Sequence, residues 1–424
     1  MRWKTRTISE LVFSKEAEIK TGPFGTQLKA AEYVEHGTPV INVRNIGFGS
    51  IRDADLEFID PATTIRLSSH LLQADDIVFG RKGAVERHAY IKKSQSGWLQ
   101  GSDCIRLRII SGDLLPRFLS YALLTREHQE WMQSQCSHGA TMASLNQDIV
   151  GRIRVKAPDI SQQVRIASIL SAYDDLIENN TRRIAVLEEM ARRIFEEWFV
   201  HFRAPGCETL PRIGTPLGPV PEGWEAVRLD TVIEFDPSTK VGRDGLKPFV
   251  PMTSLQNNSM LVLDIEGRAG NSGSKFRNGD SLLARITPCL ENGKTGYVDF
   301  LSSDVETGFG STEFIVMRGI RMPATAVQMF ARSDWFRDQA IASMSGATGR
   351  QRVRRERLES LEIALPPKPL LDCFDELAKP MFKMARVLTN QSRNLRTQRD
   401  LLLPRLISGE IDVSAAPALL EAAE

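Results

Sequence analysis

The alternation of apolar and polar positions predicts two long amphipathic helices in this chain. Residues 161–202 and 370–409 carry apolar side chains at steps of three and four, which places them on one face of a helix. Each apolar stripe is too narrow for a helix buried on all sides and too apolar for a helix in water. We therefore expect the two helices to pack on each other as a coiled coil of about 40 residues, or roughly 60 Å. An ordinary core helix in each domain is the alternative.

Heptad spacing selects the side chains that this helix pair should bury. Three of them are polar, and Asn180, Gln391 and Gln398 would lower stability while fixing the register. The expected packing residues are Ile169, Tyr173, Leu176, Asn180, Ile184, Leu187, Met384, Leu388, Gln391, Leu395 and Gln398. Pro380 should kink the second helix or mark its start, and Pro404 should bend or end it, which would leave the second helix shorter than the first.

Short strands and shorter helices fill the rest of the pattern. Residues 116–136 and 324–344 have helical spacing. Residues 204–223 are rich in Pro and Gly and predict an extended linker. Runs of β-branched residues bounded by Gly, Asp or Pro predict strands, among them residues 40–46, 76–80, 104–110 and 152–158.

The chain repeats itself at a separation of roughly 210 residues. Trp3 and Trp224 open two stretches in which short segments recur in the same order, such as ADDIVFGR at 74–81 and NGDSLLAR at 278–285. The expected fold class is α+β, with two mixed α/β domains separated by a long antiparallel two-helix coiled coil and a pseudo-twofold internal repeat. The expected segments are 1–158 and 224–367 for the domains, 159–203 and 368–410 for the helices, 204–223 for the linker and 411–424 for a C-terminal tail.

Composition narrows the class of protein without giving a function. Lys plus Arg number 54 and Asp plus Glu number 53, so the net charge of +1 argues against electrostatic nucleic-acid binding by the whole surface. Local basic patches stay possible. No segment approaches the ~18–20 apolar residues of a membrane-spanning helix, and residues 1–11 lack the apolar core of a secretory signal. We expect a cytoplasmic protein with no membrane partner.

The sequence lacks the motifs of the enzymes that act on DNA or nucleotides. It has neither the Gly-rich cofactor loop nor the catalytic tetrapeptide of adenine methyltransferases. The segment NGKT resembles the end of a phosphate-binding loop, but proline occupies position 288, where the first glycine belongs. The six histidines have no metal-ligand spacing, and Asp75-Asp76 favours a turn before a strand over a catalytic pair. We therefore expect no catalytic residue and no metal site, which favours a binding or scaffolding role.

Basic residues nevertheless cluster locally. Arginine occupies five of the eight positions of 350–357. Such clusters are typical of loops that contact phosphates, and arginine also reads guanine edges while Asn and Gln read adenine. The candidate DNA-contacting residues are Lys20, Gln27, Arg44, Arg81, Lys82, Arg87, Lys240, Arg243, Arg285, Lys294, Arg350 and Arg352. For each of them, solvated surface charge is the alternative.

Three segments together resemble the specificity subunit of type I restriction–modification systems. They are RIFEEWFVHFRAPG at 193–206, LGPVPEGWEAVRL at 217–229 and RDLLLPRLISGEIDV at 399–413. The likeness covers nearly the whole chain, including the order of domains and helices, and implies that Trp224 opens the second of two target-recognition domains. Pro380 departs from the regular helix that the family leads us to expect.

The resemblance implies a function without chemistry on this chain. Each domain would read one half of a bipartite, asymmetric site in double-stranded DNA, and the helices would set the gap between the halves. Two modification subunits would bring S-adenosylmethionine, and two restriction subunits would bring ATP and Mg²⁺ for translocation and cleavage, so this chain would hold no cofactor. A scaffold that joins partners through its helices without reading bases is one alternative, and a stand-alone enzyme is another.

Overall fold

The computed structural model describes residues 3–23, 25–136, 144–346 and 351–414. The chain divides into two compact units. Unit 1 comprises Met1–Leu176 and Leu395–Glu424, and unit 2 comprises Ile177–Asn394. The division falls inside both long helices, so each unit contains a part of each helix.

The first half of the chain forms short strands, short helices and one long helix. The strands are β1 (Lys4–Thr7), β2 (Ala17–Thr21), β3 (Tyr33–Val34), β4 (Thr38–Ile41), β5 (Glu57–Ile59), β6 (Ile77–Gly80), β7 (His88–Tyr90), β8 (Leu99–Gln100), β9 (Cys104–Ile109) and β10 (Arg154–Ala157). The helices are α1 (Ile8–Phe13), α2 (Pro61–Arg66), α3 (Pro116–Leu123), α4 (Arg126–Cys136), α5 (Gln147–Gly151) and α6 (Ile160–Phe195), which continues as a π-helical turn over Glu196–Val200.

Local sequence sets where several of these elements begin and end. Asn146 caps α5 by accepting a hydrogen bond from the Ile149 N–H at 2.9 Å. The predicted strand at 40–46 is confirmed only as far as Ile41, because Asn45 turns the chain. Its side chain accepts from the Asn42 N–H at 3.0 Å and donates to the Arg52 carbonyl at 3.1 Å, which favours a turn over an extended strand.

Unit 1 is built from two four-stranded sheets and one strand pair. An antiparallel sheet has the order β2-β9-β6-β7, and a mixed sheet has the order β3-β5-β4-β8, in which β4 and β8 are parallel. Strands β1 and β10 pair antiparallel. The largest core of the unit lies between the antiparallel sheet, the short helices and the first turns of α6, where Phe79, Phe118 and Leu170 are fully buried.

The second half of the chain repeats this plan. Its strands are β11 (Arg212–Thr215), β12 (Gly218–Pro221), β13 (Glu225–Arg228), β14 (Ile233–Phe235), β15 (Leu246–Val250), β16 (Glu266–Ala269), β17 (Ser274–Arg277), β18 (Ser281–Ala284), β19 (Thr295–Tyr297), β20 (Thr307–Gly310), β21 (Phe314–Gly319) and β22 (Glu362–Leu365). Its helices are α7 (Ala324–Arg332), α8 (Asp334–Ala342), α9 (Arg355–Glu359) and α10 (Lys368–Ser408). The Pro- and Gly-rich segment predicted to be an extended linker contains the hairpin β11-β12.

Strand order in unit 2 matches that in unit 1. The antiparallel sheet β14-β21-β18-β19 corresponds to β2-β9-β6-β7, and β13 pairs with β22 as β1 pairs with β10. The mixed sheet β16-β15-β20-β17 again contains one parallel pair, β15 with β20. The two mixed sheets share the order β5-β4-β8 and β16-β15-β20. Among the described residues they differ at both outer edges, where unit 1 adds β3 beside β5 and unit 2 adds β17 beside β20. The predicted mixed α/β fold, its two long helices and the internal repeat are confirmed.

The two long helices contact each other within each unit. In unit 1, the core joins Ile166 and Leu170 near the start of α6 to Leu406 near the end of α10. In unit 2, Phe195 near the end of α6 lies 5.8 Å, centroid to centroid, from Phe374 near the start of α10. Because the start of one helix meets the end of the other, the pair is antiparallel.

The second helix continues through both of its prolines. It runs without interruption for 41 residues, past Pro380 and Pro404, whereas the α-helical part of α6 has 36 residues. A proline inside a helix removes one backbone hydrogen bond and costs ~3 kcal/mol, and burial of Ala378 and Phe382 on either side of Pro380 offsets that cost. The expectations that the helix starts at Pro380, ends at Pro404 or is the shorter of the two are therefore wrong.

The buried face of α10 is displaced by one residue from the predicted seam at two positions, and a third predicted packing residue is exposed. Met384 is 43% exposed and Gln391 and Gln398 are exposed, whereas Ala385 and Ser392 are buried. A seam between helices can be lined by small side chains, and the prediction favoured the larger or more polar neighbour at each step. The prediction is therefore wrong at these three residues.

Burial of the other predicted packing residues varies along the helices. Leu176 is 51% exposed while its neighbour Ile177 is buried, so the prediction is wrong there by one residue as well. Asn180 and Leu388 are buried. Half-buried side chains occupy the remaining positions, Ile169, Tyr173, Ile184, Leu187 and Leu395.

Candidate nucleic-acid interface

In unit 1, two of the predicted basic residues lie at the end of a central strand. Arg81 directly follows β6, and its N–H donates to the Asp103 carbonyl at 2.8 Å. Its own carbonyl accepts from the Leu145 N–H at 2.8 Å. Lys82 is exposed, and its Nζ lies 3.4 Å from an oxygen of the Asp103 carboxylate. Backbone bonds thus fix this strand end while the lysine stays at the surface.

Arg87 occupies the turn that leads into β7. Its guanidinium lies 5.3 Å from the ring centroid of Phe48, a side chain that is 44% exposed. An arginine beside an exposed aromatic ring is a combination that can contact both a phosphate and a base. Among the described residues, no hydrogen-bond partner is found for the buried Nε of Arg81 or of Arg87.

In unit 2, Arg285 and Arg352 meet at the corresponding strand end. Arg285 directly follows β18, and its N–H donates to the Glu313 carbonyl at 2.9 Å. The Arg352 guanidinium donates to the Glu313 carboxylate from Nε at 2.9 Å and from Nη2 at 2.6 Å. These bonds lower the pKa of Glu313 and raise the pKa of Arg352. The Nε of Arg285 lies 4.0 Å from the same carboxylate.

Sheet register establishes that the two strand ends are equivalent. Gly80 pairs with Cys104 in unit 1, and Ala284 pairs with Phe314 in unit 2. The residue after the first strand is an arginine in both units, and the residue before its partner strand is an acid in both, Asp103 or Glu313. An arginine whose backbone N–H donates to the carbonyl of this acid is the shared feature, whereas the side-chain contacts around it differ.

A buried ion pair lies at the opposite end of each of these strands, where β6 and β18 begin. Asp76 accepts from Nε and Nη2 of Arg108, both at 2.6 Å, and from the Gln73 N–H at 2.8 Å. In unit 2, Asp280 likewise accepts from Nε and Nη2 of Arg318, at 2.7 and 2.8 Å, and from the Arg277 N–H at 2.8 Å. Asp75, with a φ of 72°, forms with Asp76 the turn before a strand that the sequence predicts.

An open polar groove borders Arg285 in unit 2. It is lined by Asp236, Ser238, Thr239, Lys275 and Thr312 among others. Hydroxyl, ammonium and carboxylate groups in such a groove can bond both the backbone and the base edges of a nucleic acid.

Several predicted contact residues are engaged within their own unit instead. Lys20 donates to the Ser69 carbonyl at 2.9 Å, and Lys294 donates to the Met252 carbonyl at 3.3 Å. Arg44 pairs with Glu57 at 2.9 Å. All three are held by residues distant in sequence, so charge alone overstates how available they are.

The remaining candidates are not brought together by the structure. Gln27, Lys240 and Arg243 are exposed, and the Gln27 carbonyl accepts from Arg66 at 2.7 Å. Arg350 lies outside the described residues. Sequence reasoning missed Asp103, Glu313 and Phe48. The sequence does mark Arg81 and Arg285, because they occupy aligned positions in the repeat. The acids that face them can be identified only once the pairing of the strands is known.

The described residues contain no group of three or more His, Cys, Asp or Glu side chains placed to hold a metal ion. In the same part of the chain, no helix is long and apolar enough to cross a membrane.

Comparison with known proteins finds similarity to one family. Residues 2–189 match the family model described as the type I restriction modification DNA specificity domain. The specificity subunit of the type I restriction enzyme MjaIX of Methanocaldococcus jannaschii is 24% identical over 320 residues, which cover 71% of this chain and 70% of the relative. The HindI specificity subunit of Haemophilus influenzae is 22% identical over 370 residues, 70% of this chain and 78% of the relative.

A solved structure supports the same fold over the whole length. The S subunit of a type I restriction–modification system from M. genitalium superimposes with a TM-score of 0.59 and covers 96% of both chains, at 13% sequence identity. The fold, the repeat and the matched domain agree with one another. The chain is therefore similar, in sequence and in fold, to the specificity subunits of type I restriction–modification systems.

Proposed function

We propose that this chain selects the DNA site of a type I restriction–modification complex, with each unit reading one half of a bipartite, asymmetric sequence. Similarity to specificity subunits supports a role without catalytic activity on this chain. Two similar folds with different side chains suit a site whose halves differ. Residues 1–158 and 224–367 are the proposed target-recognition domains.

One observation carries this proposal. The same strand end in both units presents an arginine beside an acid, and the neighbouring basic groups differ, with Lys82 in unit 1 and Arg352 in unit 2. A shared framework with different contact groups is what two readers of different half-sites require, because direct readout depends on the donors and acceptors that reach each base edge.

The long helices are proposed to set the gap between the half-sites. Once one domain has bound its half-site, a stiff connection would make binding of the second domain an effectively intramolecular step. This raises the affinity for DNA without new contacts. Helix pairs are also the proposed docking elements for two modification subunits, with two restriction subunits completing the complex. S-adenosylmethionine, ATP and Mg²⁺ would be held by those partners in the cytoplasm, and this chain would hold no cofactor.

Methylome sequencing of cells with and without the chain tests the proposal. We expect one split motif, with two defined halves around an unspecified gap, to lose methylation when the chain is deleted. Retention of every methylated motif would refute the proposal. DNA binding without sequence preference would instead support a scaffold that does not read bases.

Exchange of one domain tests whether the halves are read separately. Residues 1–158 are replaced by those of another specificity subunit, with the junction after β10 so that its pairing with β1 is kept whole. We expect one half of the motif to change and the other to persist. A change in both halves would show that the units do not read independently.

A further inference from the structure

The Arg352–Glu313 pair of unit 2 is held by a two-point contact, although it lies at the surface. The carboxylate of Glu313 accepts from Nε at 2.9 Å and from Nη2 at 2.6 Å, so it fixes the plane of the guanidinium. The arginine side chain is nevertheless 47% exposed. A fork that is held on one edge and open on the other is ready to receive a ligand.

The backbone beneath this side chain is also fixed. Arg352 and Ser345 exchange both of their backbone hydrogen bonds, each at 3.0 Å. On either side of Arg352, the Val353 N–H donates to the Arg285 carbonyl at 2.9 Å, and the Gln351 carbonyl accepts from the Thr287 N–H at 3.1 Å. A contact residue on such a support loses little conformational entropy when it binds.

The donors left open match one base edge. Arginine has five N–H donors, and no described residue bonds Nη1 of Arg352, so Nη1 and the second N–H of Nη2 form a free pair. Guanine presents two acceptors, O6 and N7, in the major groove, and a bidentate arginine is their commonest specific partner.

Local charge argues against a phosphate at this position. Glu313 cancels the charge of Arg352 and lies 4.0 Å from Arg285, so a phosphate brought to this fork would approach a carboxylate. A neutral base edge meets no such repulsion. Phosphate contacts are better served by basic groups without an adjacent acid.

Among the described residues of unit 1, this arrangement is not found at the equivalent place. The backbone bonds of Leu145 and Val353 to Arg81 and Arg285 align Ser144 with Arg352. The cation found near Asp103 among the described residues is Lys82, which comes from the other segment and makes two longer contacts, at 3.4 and 3.5 Å. An ammonium group has no planar fork, so Lys82 cannot reproduce the contact.

We propose that Arg352, positioned by Glu313, reads a guanine in the half-site of unit 2. The inference rests on the proposed function and adds to it the base class and the residue. It assigns Arg352 to base readout and leaves phosphate contacts to other basic residues.

The test uses cells that express full-length variants and measures the methylated fraction of every genomic site that differs from the motif at one position. For Arg352→Ala, we expect selectivity for guanine over the other bases to fall roughly five- to 150-fold at one position of one half. Selectivity at all other positions should persist. Arg352→Lys keeps the charge without the fork and should relax the same position, and Glu313→Gln should relax it partly. The matched change in unit 1, Lys82→Ala, should act on the other half only.

The outcomes separate the inference from the proposed function. A motif that depends on the chain but lacks guanine in the half-site of unit 2 overturns the inference alone. So does an Arg352→Ala chain that lowers methylation equally at all single-mismatch sites, with recovery in Arg352→Lys, because that is the behaviour of a phosphate contact. If the alanine variant does not accumulate, Arg352→Lys decides. Absence of any motif that depends on the chain overturns the proposed function and this inference with it.

Discussion

Replacing Asp76 with Asn should destabilise unit 1 and leave unit 2 unchanged. The Asp76 side chain is fully buried and receives two charge-assisted hydrogen bonds at 2.6 Å from Arg108, in addition to one from the Gln73 backbone. Asparagine has nearly the same shape but no charge. The substitution therefore leaves the Arg108 guanidinium without its counter-charge between β6 and β9.

The expected loss in the free energy of unfolding depends on how deeply Asp76 and Arg108 are buried. Removing one partner of a buried ion pair costs about 3–5 kcal/mol. Because the Arg108 side chain keeps 20% exposure and can reach water, we expect the lower end, about 3 kcal/mol. For a unit of this size, that corresponds to a melting temperature lower by roughly 6–12 °C.

The repeat supplies a matched experiment in unit 2. Asp280 accepts from Arg318 at 2.7 and 2.8 Å and from the Arg277 N–H at 2.8 Å, so Asp280→Asn should destabilise unit 2 by a similar amount. Glu130→Gln provides the control, because the Arg126–Glu130 pair is largely exposed and should contribute less than about 0.5 kcal/mol.

Hydrogen exchange of the full chain, read by mass spectrometry, assigns the effect to a unit. In Asp76→Asn, the opening free energy of β6 and β9 should fall by about 3 kcal/mol while that of β18 and β21 is unchanged. Asp280→Asn should give the reverse pattern. A loss below about 1 kcal/mol, or an equal loss in both units, would refute the reasoning.

Four further substitutions test the packing and the pH dependence. Burial lowers the pKa of His88 to about 3 and that of His128 to about 4. The neutral forms therefore stabilise the fold fully above the unfolded pKa of ~6.5, and this contribution decreases as the pH falls from there toward 3, by at most ~1.4 kcal/mol per pH unit for each group. His88→Gln should flatten the acid limb of urea midpoints measured against pH, and an unchanged slope would contradict this. In urea unfolding, Ala385→Leu should lower the free energy of unfolding by about 1–3 kcal/mol, and Met384→Leu should lower it by less than about 0.5 kcal/mol. Equal effects would contradict the burial of Ala385 in place of Met384. Phe374→Ala should cost about 3–5 kcal/mol, because its ring packs against aromatic side chains of α6 at 5.2–6.3 Å, and a loss below about 1 kcal/mol in the same assay would refute that packing.

The parts of the fold that repeat or that extend over many turns could be predicted from sequence. Two long amphipathic stretches give a strong periodic signal, and the aligned segments reveal a duplicated plan. The exact seam could not be predicted, because Ala385 and Ser392 give almost no hydrophobic signal of their own. Nor could the continuity of α10 through Pro380, since packing of the neighbouring residues decides it.

The candidate site could be predicted only in part, for a related reason. Sequence shows where charges are but not what they face. Arg81 and Arg285 are marked by their aligned positions, whereas Glu313 meets Arg352 only through strand pairing. Lys20 is held by the Ser69 carbonyl, 49 residues away in the chain, a contact that no local pattern announces.

The most direct test of the central claim lengthens both helices and measures the gap in the methylated motif. One heptad is inserted after Asn180 and another after Gln391, aligned positions in α6 and α10, which adds roughly 10 Å while preserving the seam. If the helix pair sets the distance between two readers, both halves of the motif persist and the unspecified gap grows by about three base pairs. Methylation of the original motif with an unchanged gap would contradict the account.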